Sequence, residues 1–119
     1  MRWTTIDERF VDDVVILDLG GPQIMQIDSE RLLVEKTRQL LSSGRTRIVL
    51  NLHDLRYIDD DGLGQIVNAY KAALEAKGSV KVCELTPQLR ELLHARRLDS
   101  CLEVFDSEQE AVQSFTARF

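Results

Sequence analysis

Apolar residues recur along the chain in two rhythms, and the sharpest change between them falls near the middle. Ile48, Val49 and Leu50 form an unbroken apolar run that Leu52 extends by one pleat. A run without alternation suits a strand covered on both faces. From Leu63 the spacing changes. Leu63, Ile66, Val67, Tyr70, Ala73 and Leu74 stand at i, i+3, i+4, i+7, i+10 and i+11, one stripe at the helical period. Between strand and helix lie Tyr57, Ile58, Asp59, Asp60, Asp61 and Gly62. A buried strand thus delivers an acidic turn to the N-terminus of an amphipathic helix. In open α/β sheets the crevice beyond the carboxyl ends of the strands is the usual functional place.

The flanking segments fit the same scheme. Trp3 to Phe10 and Val14 to Leu19 read as two strands joined by Asp12-Asp13, an antiparallel hairpin. Gly20-Gly21-Pro22 breaks the second strand. Gln23 to Ile27 fits either a short edge segment or a loop packing Ile24 and Ile27 inward. A helix follows, with Asp28 or Ser29 as cap, an apolar stripe of Leu33, Val34, Leu40 and Leu41 with Thr37 in the same row, and Ser42-Ser43-Gly44 as its end. After the central strand and helix, which Lys77-Gly78 closes, Val80 to Leu85 reads as a strand. Thr86-Pro87 then opens a helix with inner residues Leu89, Leu92 and Leu93, and Leu98 packs just after it. Leu102 to Phe105 reads as a last short strand. Asp106 or Ser107 caps a final helix with Ala111, Val112 and Phe115 inward. The alternation after residue 20 predicts an α/β fold: a mixed sheet of four to five strands packed with four helices, in one domain over residues 1–119.

Charge and composition narrow the partners. The net charge of −5 lacks the basic excess of a phosphate-binding face, so no nucleic acid is expected. No apolar run reaches the roughly 20 residues that span a bilayer, and the N-terminal segment has no signal-peptide core; a cytoplasmic protein without membrane insertion is expected. Cys83 and Cys101 have no CxxC spacing and sit in strand-like apolar context, so both read as reduced, buried thiols.

The three aspartates carry the site chemistry. A helix N-terminus bears free N–H groups and about half a positive charge, worth about 0.3–1 kcal/mol to an exposed carboxylate. Neighbouring carboxylates about 6 Å apart repel by about 0.7 kcal/mol in water. Capping therefore explains one aspartate, and the other two require another reason. A solvated acidic cap and a functional acidic patch both fit. Magnesium would take one or two carboxylates plus waters, yet successive residues at a helix start point apart. No metal or other cofactor is expected. Gly62 and Gly64 make no phosphate-cradling motif. Gly64, which costs helix propensity of about 1 kcal/mol, points to close approach of the helix to a strand or a partner. His53 and His94 have no ligand-spaced companions, and His94, Arg96 and Arg97 suit a helix C-terminus. No catalytic constellation is present, so no enzyme is expected.

The run Leu50-Asn51-Leu52, Asp54-Leu55 and Tyr57-Ile58-Asp59-Asp60-Asp61-Gly62-Leu63-Gly64 resembles the STAS domain of bacterial anti-sigma factor antagonists. In that family the turn usually reads D-S-S-G-L-G or D-S-T-G-L-G. The resemblance implies a STAS-like fold and a regulatory module that binds an anti-sigma factor of the histidine-kinase-like ATPase type, thereby freeing a sigma factor. It implies a partner surface at Asp59, Asp60, Asp61, Gly62, Leu63, Gly64, Gln65 and Asn68, with Ala69 on the same flank and the Gly20–Met25 loop adjoining. The family's phosphorylated serine corresponds to Asp60, which has no hydroxyl to accept phosphate. Asp60 then either mimics the phosphorylated state or belongs to a surface adapted to permanent charge. The alternative role is a non-phosphorylatable STAS subunit of a signalling scaffold or lipid-transport complex. A small phospho-acceptor or metal-dependent protein is the third, and both monomer and homodimer stay open.

Overall fold

The computed structural model describes residues 5–20, 27–55 and 58–116, without the side chains of residues 5, 27–32 and 61. Five strands lie in the spatial order of the chain: β1 (Thr5–Val11), β2 (Val14–Gly20), β3 (Arg47–Asp54), β4 (Ser79–Cys83) and β5 (Glu103–Phe105). The hairpin is antiparallel, as its two-residue turn requires, with Asp12 in the left-handed region at φ 55°. All later pairings are parallel. The helices are α1 (Ile27–Ser42), α2 (Asp60–Glu75), α3 (Pro87–Ala95) and α4 (Glu108–Thr116). Asp28 and Ser29 therefore fall inside the first turn of α1 and do not precede it. Of Gln23 to Ile27, read as an edge segment or a loop, Ile27 instead opens α1, while positions 23–26 and the Gly21–Met25 part of the adjoining loop lie outside the described residues.

Period-two alternation divides the sheet into two faces. Leu17 and Leu19 of β2, Ile48, Leu50 and Leu52 of β3, and Val80 and Val82 of β4 join Leu33, Leu63, Ile66, Leu89 and Leu93 in the larger core. Ile16, Val49 and Cys83 turn the other way, against Ala111 and Val112 of α4. Both faces being covered explains why β3 has no polar alternation. Burial pushes the Cys83 thiol up to about 12, so it stays protonated and inert.

Several expectations need correction. β4 ends at Cys83, because Glu84 adopts φ 60° and leaves the sheet. Cys101 is exposed in the connection between α3 and β5, where its thiol faces the Arg97 carbonyl at 3.8 Å. The apolar spacing of α2 runs past its buried face: Leu74 is 53% exposed, while Ala69 and Ala73 are fully buried. Both small residues belong to the larger core.

Candidate functional site

β3 ends at Asp54, and Leu55 turns back by donating its N–H to the Leu52 carbonyl at 3.0 Å. Leu55 is completely buried, which pins the chain just before the acidic turn. Asp59 is the N-cap of α2. Its backbone is extended (φ −87°, ψ 179°), and its Oδ1 accepts the Gly62 N–H at 2.7 Å. The Leu63 N–H reaches the Asp59 carbonyl at 2.9 Å, so the first helical turn closes on this residue. Of the three aspartates, Asp59 is thus the one that capping explains.

Asp60, the first residue of the helix, is 75% exposed. Its Oδ1 accepts a hydrogen bond from Nη2 of Arg96 at 2.6 Å. Arg96 is the C-cap of α3. The sequence reading gave Arg96 only the helix-end charge; a contact across 36 residues has no periodic signature. Asp61 belongs to the first turn of α2, and its side chain lies outside the description.

Beyond the turn, the predicted residues separate into anchors and surface. Leu63 and Ile66 are buried and fix the start of α2 to the core. Gly62 is buried as well. Gly64 is half-buried, and a Cβ placed there would meet nothing within 4 Å among the described residues. Close approach to a strand therefore does not account for this glycine. Asn68 is exposed, whereas Ala69 is fully buried and does not belong to the surface flank. Gln65 and Asn68 border a polar groove between α1 and α2, with Glu35, Arg38 and Lys71 on its rim. The Gln65 Oε1 atom is buried there without a hydrogen-bond partner among the described residues.

A second polar cluster, missed by the sequence reading, sits at the α4 face of the sheet. The Arg9 guanidinium bridges Asp18 of β2 and Glu108 of α4, the latter at 2.6 Å from Nη2. Asn51 Nδ2 donates to the same Glu108 oxygen at 2.8 Å, while Asn51 Oδ1 accepts the His53 N–H at 2.9 Å. The bonds to Asp18, and then Glu108, raise the Arg9 pKa, while Arg9, and then Asn51, hold the Glu108 carboxyl below the usual range. The cluster ties α4 to β1, β2 and β3. Among the described residues no group of three or more His, Cys, Asp or Glu side chains is placed to hold a metal ion, and no helix is long and apolar enough to cross a membrane.

A family model described as the STAS domain matches residues 5–111. The anti-sigma F factor antagonist of Paenibacillus polymyxa is 34% identical over 99 residues, covering 83% of this chain and 84% of that protein. Among solved structures, a Thermotoga maritima protein provisionally assigned as an anti-sigma factor antagonist superposes with a TM-score of 0.83 at 26% identity, over 94% of this chain and 95% of that one. The unphosphorylated form of the anti-sigma factor antagonist SpoIIAA shares the fold at a TM-score of 0.74 and 16% identity, over 96% of this chain and all of the other.

Proposed function

Because the chain belongs to the STAS-domain family, with relatives named as anti-sigma factor antagonists, we propose that it is itself such an antagonist. It binds an anti-sigma factor of the histidine-kinase-like ATPase type through the exposed corner at the start of α2. Asp59, Asp60, Gly64, Gln65 and Asn68 form its surface, over the buried Gly62 and Leu63. The protein acts by contact and carries out no reaction of its own. The observation that supports this most is the division of labour within the turn: Asp59 is consumed as cap while Asp60 stays at the surface. By the resemblance of the turn, Asp60 stands where the family's phosphorylated serine would be. With no hydroxyl at Asp60, the surface is constitutive rather than switched by that modification.

Calorimetric titration against the purified histidine-kinase-like anti-sigma factors of the source organism tests the reading. The wild-type chain should bind one of them equally well before and after incubation with ATP, and should take up no phosphate. Asp60→Ser should take up phosphate from the same partner and then lose affinity. Absence of binding, or loss of wild-type binding on incubation with ATP, would overturn the proposal.

A further inference from the structure

We infer that Arg96 is part of the docking surface and acts there by holding Asp60 at local charge neutrality, so that the anti-sigma factor meets an Asp–Arg pair and not a bare carboxylate. This rests on the function proposed above and specifies how its central position works. The geometry places the two side chains deliberately. Arg96 caps α3, its N–H bound to the Leu92 carbonyl at 3.0 Å. The next residue, Arg97, turns left-handed at φ 59°, and Leu98 closes the end by donating to Leu93 at 2.8 Å. Leu93 of α3 and Leu63 of α2 line one apolar core pocket. The helix ends carrying Arg96 and Asp60 are therefore seated on a common floor. Their side chains meet at 2.6 Å although both are largely in solvent, 49% and 75% exposed.

An exposed pair contributes little to folding, so stability alone is a poor reason for this contact. At an interface the balance changes. A carboxylate covered by a partner loses its water, and an uncompensated one must be matched or repelled. Pairing within the chain removes that demand before docking. The partner that fits is one without a basic patch opposite Asp60. Asp60 then does not act as a phosphate mimic; it would become one only if Arg96 were removed.

Affinity for the anti-sigma factor that the calorimetric titration detects should be measured for R96Q, R96K and the double variant D60N/R96Q, each checked for cooperative unfolding. R96Q is expected to bind roughly five- to tenfold more weakly. The double variant should return to within about twofold of wild type, because neutrality is restored without the pair, and R96K should keep most of the affinity. A purely structural role for Arg96 would not be rescued by D60N. R96Q binding like wild type, or a double variant as weak as R96Q, would overturn the inference. Side-chain NMR of the free chain gives a readout that needs no partner: rotation of the Arg96 Nη groups should be hindered in wild type and released in D60N. Free rotation in a wild-type chain that binds normally would sink this inference alone. A wild-type chain that binds no anti-sigma factor would instead overturn the functional reading, and the docking role of Arg96 with it.

Discussion

Asp59 accepts the Gly62 N–H across the first turn of α2, so truncating its side chain leaves that donor without its partner. Asp59→Ala should cost about 1 kcal/mol of stability, within the usual 0.5–2 kcal/mol for a lost cap, whereas Asp59→Ser should cost much less. Urea unfolding of the two variants checks this; equal stability would mean that the cap contributes nothing. Residue-level chemistry of this kind was readable in advance. A run of three aspartates before an amphipathic stripe contains one cap by necessity, and Thr86-Pro87 announces another, realised as Thr86 Oγ1 accepting the Leu89 N–H at 3.3 Å. Ser107 and Glu110 complete a reciprocal capping box at the start of α4, at 3.1 and 3.3 Å. The partner of Asp60 was not readable, since nothing local links Arg96 to residue 60. Asn51 and Glu108 were equally silent, because an isolated Asn in a strand and a Glu in a first turn each have ordinary local roles.

At the scale of elements, three helices end in the same way. Gly44 (φ 91°), Lys77 (φ 62°) and Arg97 (φ 59°) each take the left-handed position after α1, α2 and α3. Glycine stands at that position only after α1, so Lys77→Gly should stabilise the protein by up to about 1 kcal/mol. Gly78, one residue on, is needed for a different reason: a Cβ there would lie 2.8 Å from the Thr46 carbonyl oxygen and 3.0 Å from Leu41. Gly78→Ala should therefore cost roughly 1–3 kcal/mol. Opposite shifts in the urea midpoints of adjacent variants are the expected result, and a neutral Gly78→Ala would contradict the packing. The sequence marked where α2 closes but not which of the two residues does what. The attachment of α4 makes a pH prediction. Arg9, and then Asn51, hold the Glu108 carboxyl below its ordinary range. That contribution is complete above the unfolded value near 4.3 and is lost as pH falls through the lower folded value. Glu108→Gln should accordingly flatten the acid limb of the stability curve below about pH 4.3; an unchanged limb would show that the Arg9 cluster does not secure α4.

For the whole molecule, the alternation of strands and helices was sufficient to indicate a mixed α/β sheet, because a buried β3 can form only if both of its faces are covered. The proposed docking corner was legible as a place: strand end, acidic turn, helix start. Its composition was legible less well. Spacing alone cannot tell Ala69, buried in the larger core, from Asn68 beside it on the surface. The glycine at position 64 separates folding from binding most cleanly. A Cβ there meets nothing within 4 Å among the described residues, so Gly64→Ala should raise stability by up to about 1 kcal/mol through helix propensity. If the start of α2 is where the anti-sigma factor docks, the same methyl group stands in the interface. Melting temperature and anti-sigma factor affinity should therefore be measured together on Gly64→Ala. Gly64→Ala is expected to melt higher and to bind roughly tenfold more weakly, about 1.4 kcal/mol; a more stable variant that binds the partner as tightly as wild type would show that the start of α2 is not where the anti-sigma factor docks.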